Sequence, residues 1–186
     1  MKRIVYILVI LSLVLSLAAC TDEITVYDRL SLLSMRSYEC ITMNVKTTTN
    51  GVSLESSYTV SDGSVIFSVE RLNSFSAESE DMKSEIQGIA TVVDGVVTQL
   101  DGVPVELPSY TTLLGAFNFK EDYFANAKET ETSFSADITN LSDFIGNELT
   151  AQFAKIVVNY DTLSFESIVI TYSTQSSYVV ITYEFI

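Results

Sequence analysis

Hydrophobic and polar positions along this chain switch between two periods. Over Asp22–Arg36, Val26, Tyr27, Leu30 and Leu33 recur at helical spacing and form one apolar stripe, with Thr21 or Asp22 placed to cap the first turn. From Tyr38 the period becomes two. Ile41, Met43 and Val45 alternate with Cys40, Thr42 and Asn44, and Val52, Leu54, Tyr58 and Val60 alternate with Ser53, Glu55, Ser57 and Thr59. Val65, Phe67 and Val69 alternate with Ser64, Ser68 and Glu70, with Ile66 out of phase. Such alternation puts one set of side chains on each face of a strand. Asn50-Gly51 and Asp62-Gly63 separate these runs, and both dipeptides accept positive φ at the two centres of a tight hairpin turn. Asp94-Gly95 and Asp101-Gly102 repeat the device between Ala90–Val93, Val96–Leu100 and Val103–Val105. The pattern predicts a leading helix followed by an antiparallel meander.

The middle of the chain reads differently. Pro104 and Pro108, the 2 prolines of the sequence, bracket the end of the meander and discourage a central strand there. Ser109 is placed to cap a short helix through Leu113, Leu114 and Phe117, and Phe119–Ala125 reads as a second, with Phe119 and Tyr123 one turn apart. Lys128–Ile138 returns to alternation as a strand, and Ser142-Asp143-Phe144-Ile145 reads as a capped helical turn. Three closing strands follow, over Ala151–Tyr160, Leu163–Ser173 and Ser177–Ile186, rich in Val, Ile, Tyr and Phe. Asp161-Thr162 and Thr174-Gln175-Ser176 are their turns, and acidic Glu78–Glu85 reads as a solvated loop. No linker or repeat divides this body, which is expected to be one α+β domain built on an antiparallel sheet.

The start of the chain changes the picture. Lys2 and Arg3 precede an apolar run from Ile4 to Leu17, which closes on Leu17-Ala18-Ala19-Cys20. A short charged segment, an apolar stretch and small residues at a cut describe a secretory signal, and the run is shorter than the ~20 residues of a membrane span. Leu-Ala-Ala-Cys resembles a lipobox, the site at which a lipoprotein precursor is cleaved before a lipid-bearing cysteine. Residues 1–19 are therefore expected to be a signal peptide, 20–186 the mature domain and Cys20 the lipid attachment site, on the extracytoplasmic face of the cell membrane. Of the 2 cysteines, Cys40 is then alone, so the mature chain folds without an internal disulfide. The full chain carries a net charge of −14, and loss of Lys2 and Arg3 makes it more acidic. Such a surface repels nucleic acid and anionic headgroups, so membrane residence must come from acyl chains.

Residues for catalytic chemistry are largely missing from the sequence. The sequence has 0 histidines, which removes Ser-His and Cys-His nucleophile systems and the usual neutral-pH general base. Cys40 lies on the more polar face of its strand with no basic neighbour in sequence to lower its pKa. Glu78, Glu80, Asp81 and Glu85 lack the alternating ligands and central glycine of a calcium loop, and Glu121 and Asp122 diverge as adjacent residues on a helix. No phosphate-binding glycine loop is present. The expectation is a protein without catalytic residues, metal or cofactor.

The order of elements, with "RSYECITMNVKTTTNG" opening the sheet and "VVNYDTLSFESIVITYST" then "YVVITYEFI" closing it, resembles the LolA-like and LppX-like lipoproteins and their Gram-positive GerS-type relatives. The resemblance implies a strongly curved half-barrel whose apolar concave face is plugged by helices. It also implies one of two roles: a scaffold that binds an envelope partner protein, or a carrier of lipid or lipoprotein acyl chains. If the sheet curves that way, Ile41, Met43, Val45, Leu54, Tyr58, Val65, Phe67 and Val69 are expected to line the concave face, being the more apolar side of each strand. A packed concave face favours the scaffold and an open one the carrier.

Overall fold

Asn50-Gly51, Asp62-Gly63 and Asp94-Gly95 all place both residues at positive φ (51° and 79°, 47° and 72°, 52° and 76°). That twist matches the right-handed twist of the flanking strands, so each turn joins its neighbours directly. The computed structural model describes residues 24–73, 84–99, 107–146 and 149–186. Its elements are α1 (Val26–Ser34), β1 (Cys40–Thr49), β2 (Val52–Ser61), β3 (Ser64–Asn73), β4 (Ser84–Val93), β5 (Val96–Gln99) and α2 (Tyr110–Leu113). A 3-10 turn (Glu121–Tyr123) and β6 (Phe124–Glu129), β7 (Ser133–Ile138), α3 (Leu141–Ile145), β8 (Phe153–Tyr160), β9 (Phe165–Ser173) and β10 (Ser177–Phe185) complete the chain.

Among the described residues, 10 strands form one antiparallel sheet in the order β5-β4-β3-β2-β1-β10-β9-β8-β7-β6. The last strand, β10, pairs with β1, so the chain closes its two meanders side by side while β5 and β6 remain as edges. The result is an α+β half-barrel, open rather than closed, with a leading helix and short helical inserts.

Strand register carries the inner face across the sheet as continuous rows. One row reads Phe134, Val158, Ile168, Tyr183, Met43, Tyr58, Phe67 and Gly88. Its neighbour reads Ala136, Ile156, Ile170, Ile181, Val45, Ser56, Val69 and Ile86. Gly88 is small for a reason: a Cβ there would collide with the ring of Phe67 directly opposite. Leu30 and Leu33 of α1, Leu113 of α2 and Leu141 and Phe144 of α3 are buried in the same core as these rows. The other face is wetter, as the exposure of Asn44, Lys46, Lys155 and Glu184 shows.

Several expectations are corrected. The cap of α1 is Thr25, not Thr21 or Asp22: its Oγ1 accepts from the Asp28 backbone N–H at 3.2 Å, and the Asp28 carboxylate accepts from the Thr25 N–H at 3.2 Å. The helix expected through Phe117 ends at Leu113, where Gly115 turns at φ 61° beneath the rings of Phe185 and Tyr183. Phe119–Ala125 is not a helix but the 3-10 turn leading into β6. Lys128–Ile138 is not one strand but the end of β6, a turn and β7, with Thr130 N–H donating to Ser133 O at 2.8 Å. Asn140, rather than Ser142, caps α3. Ser84 and Glu85 begin β4 rather than ending a loop. The expected Asp101-Gly102 turn, the signal peptide and Cys20 lie outside the described residues.

The turns give a first test. Nothing lies within 4 Å of a Cβ built on Gly63 or Gly95, so backbone strain alone governs substitution there. Valine at either site should lower stability by about 1–2 kcal/mol, read as a fall in the thermal unfolding midpoint. An unchanged midpoint in both variants would contradict the turn geometry.

Candidate functional site

The helices and the inner rows of the sheet converge on one face. By register the eight residues nominated from sequence share one face of the sheet: Ile41 with Val60 and Val65, Met43 with Tyr58 and Phe67, Val45 with Ser56 and Val69, and Leu54 beside Thr47. Ile41, Met43, Tyr58, Val65 and Phe67 are buried, Val45 and Val69 are half-buried, and Leu54 is 40% exposed. Burial therefore fades toward the Asn50-Gly51 end of these strands. The deeper part of the face belongs to residues not nominated, Phe134, Ile156, Val158, Ile168, Ile170 and Tyr183 of the closing strands. Phe134 alternates as regularly, but Val157, Val169 and Val180 interrupt the alternation of the three closing strands and blur their facing.

Aromatic side chains fill that deeper part. Phe124 lies 5.3 Å from Phe144, 5.6 Å from Phe134, 5.8 Å from Tyr27 and 6.1 Å from Phe119, ring centroid to ring centroid. Phe119 meets Phe144 at 5.4 Å and Phe165 at 6.0 Å, and Phe117 meets Phe144 at 4.8 Å and Tyr183 at 5.3 Å. These separations are those of packed offset and edge-on pairs. The segment carrying Phe117 and Phe119 is tied to α1, since the Ser34 and Ser31 hydroxyls donate to their carbonyls at 2.9 and 3.2 Å. Hydroxyls buried with the plug are satisfied as well. Tyr183 donates to Thr112 O at 2.9 Å, and Tyr38 donates to Leu33 O at 3.2 Å while accepting from Phe165 N–H at 3.0 Å.

A groove lies at the edge of this plug. It encloses about 650 Å³ between the C-terminal end of α1 and the segment Tyr110–Asn118, over Ile41. Met35, Tyr38, Tyr110, Leu114, Ala116 and Phe117 make it largely apolar, and Arg36 stands at its side. The volume falls within the range that holds small ligands. Across from Arg36, Asp161 accepts backbone N–H bonds from Leu163 and Ser164 at 2.6 Å each, which hold its carboxyl below the ordinary range.

Among the described residues there is no buried charged side chain, and no group of three or more Cys, Asp or Glu is close enough to hold a metal. Cys40 is half-buried, its backbone paired with Ile186. Among the described residues no helix is long and apolar enough to cross a membrane.

Burial does shift the tyrosines. The Tyr58, Tyr160, Tyr172 and Tyr183 phenols are all held above their ordinary 10.0, in each case chiefly by desolvation of the phenolate. A raised folded-state value means the fold prefers the neutral phenol. Its stabilising contribution is complete below pH 10.0 and is lost as pH climbs through the folded-state values. Absorbance titration should show the Tyr183 phenol, the most deeply desolvated of them, ionising together with unfolding. Independent, fully reversible ionisation near the ordinary value would contradict the packing.

The fold and site together define an open antiparallel β half-barrel with a helix-and-aromatic plug on its concave face. No protein-family profile and no curated protein matches the chain. Among solved structures, a redesigned beta barrel bound to DFHBI is similar at 14% identity, over 84% of this chain and 98% of that one, with a TM-score of 0.22.

Proposed function

We propose that this chain is a membrane-anchored, non-catalytic lipoprotein of the LolA-like kind, held on the extracytoplasmic face of the cell membrane by lipid on Cys20, and that it works by binding a partner protein of the envelope. The observation that carries the scaffold role is the filled concave face. Rings packed at 4.8–6.1 Å occupy the space in which a carrier would hold its cargo. The lipobox-like Leu17-Ala18-Ala19-Cys20 supports the anchor. Cys20→Ala should abolish acyl labelling and leave the chain uncleaved or mislocalised; normal labelling of that variant would sink the anchor.

The groove of about 650 Å³ favours a second reading, in which one acyl chain lies between α1 and the Tyr110–Asn118 segment. A fluorescent polyene fatty acid distinguishes the two. Under the scaffold reading it binds no more tightly to the native protein than to Ala116→Trp, in which the indole fills the groove from an exposed position. Stoichiometric binding that Ala116→Trp removes would move the assignment to the carrier.

A further inference from the structure

One rim of the half-barrel carries a group of exposed apolar side chains. The strand registers bring to this rim the Asp161–Ser164 turn, the chain end at Ile186 beside Cys40, the Asp62-Gly63 turn and the Asp94-Gly95 turn. The turn between β6 and β7 is there too, because Tyr160 N–H donates to Thr132 O at 3.0 Å and its hydroxyl to Thr130 O at 3.2 Å. Helix α1 lies along the same rim. Near its start, Arg29 pairs with Glu129 at 2.8 Å and sits 5.8 Å from the Tyr160 ring; beyond its end, Tyr38 packs 4.7 Å from Phe185. With Leu30 and Leu33 turned into the core, α1 leaves Leu32 (60% exposed) and Met35 (81%) facing outward, with Ile24 (67%) just before it. Leu163 (60%) and Ile186 (75%) are exposed on the same rim.

We infer that this rim is a docking surface for the lipid bilayer itself. The proposal rests on the anchor at Cys20 and goes beyond it, since acylation alone would leave the domain free to tumble on its tether. Cys20 precedes Ile24 by four residues, so even a fully extended link reaches only about 14 Å. A tether that short brings the start of α1, and with it this rim, against the membrane. Apolar side chains at such a distance gain by entering the interface, and they need penetrate only the headgroup and upper acyl boundary. The anchored chain, more acidic than the full sequence's −14 once Lys2 and Arg3 are removed, would be repelled by an anionic surface, so the contact suits zwitterionic headgroups. The groove beside Met35 and Arg36 opens at this same rim and would face the lipid.

The chain contains 0 tryptophans, so single indole reporters read out the contact cleanly. The full acylated lipoprotein is reconstituted in phosphatidylcholine vesicles carrying brominated acyl chains. Met35→Trp and Leu163→Trp on this rim are compared with Tyr178→Trp, which lies at the opposite rim beside the Thr174–Ser177 turn. The two rim reporters should be quenched roughly twofold or more beyond the Tyr178 reporter. Equal quenching of all three in a chain whose mass includes the acyl groups overturns the docking while leaving the anchor intact. A blue shift at Met35→Trp that grows with protein concentration, without bromine quenching, assigns the rim to a second copy and also overturns it. A chain whose mass shows no acyl group overturns the anchor and this proposal with it.

Discussion

Phe67→Asp should abolish the fold or cost it several kcal/mol, while Ile66→Asp, one residue earlier on β3, should be tolerated. Phe67 is 1% exposed and lies in the inner row between Tyr58 and Gly88. A carboxylate there loses its hydration and gains no cation, and neutralising it by protonation also has an energetic cost. Ile66 is 58% exposed on the other face, where an acidic side chain keeps its water. Both substitutions remove a large apolar residue and add the same charge, so composition and strand propensity cancel between them. Equal urea midpoints for the two variants would show that the facing of β3, and the concave face with it, is wrong.

Phe119→Ala should lower stability by about 3–5 kcal/mol, the usual cost of removing a fully packed ring. Phe119 is 3% exposed and touches Phe124, Phe144 and Phe165 from a segment with no helix or strand of its own. Its neighbours cannot close the gap readily, because α1 and the sheet hold them from both sides. The variant should therefore retain the fold while opening the concave face, and should take up a small apolar dye that the native chain excludes. A loss under about 1 kcal/mol with no dye uptake would mean that the ring is not part of a packed plug.

These two residues also show how much the sequence disclosed. The alternation of Val65, Phe67 and Val69 was enough to place Phe67 inward, because a strand buried on one face writes its facing into every second residue. The Asn-Gly and Asp-Gly turns were equally legible, since their φ requirement is local. Phe119 was recognised as apolar but assigned to a helix. Its spacing from Tyr123 suits a helix, yet the backbone leaves that path within one 3-10 turn, and Asn126 then adopts φ 53° at the bulge of β6.

The turn between β6 and β7 was missed for a different reason. Glu129 pairs with Phe134, so the two share a face although unbroken alternation would oppose them. Every residue from Glu129 to Ser133 is polar, so no hydrophobic position recorded the break. The turn itself uses a Thr130 hydroxyl bonded to the Ser133 hydroxyl at 2.7 Å rather than a glycine. Gly88 illustrates a third limit: its smallness answers a ring on the adjacent strand, a contact no local pattern can reveal. Alternation also put the eight nominated positions on one face of the sheet, as the register has them. The groove depends on how the Tyr110–Asn118 segment crosses the end of α1, and that is settled only by tertiary packing.

The central claim joins an anchor at Cys20 to a half-barrel that carries no cargo. Native mass spectrometry of the chain extracted from membranes tests both parts in one spectrum. The account predicts a polypeptide beginning at Cys20, heavier by its covalent acyl groups, with no further lipid bound to the folded domain. A chain still beginning at Met1 or lacking acyl mass, or a folded domain holding one noncovalent lipid per molecule, would contradict it.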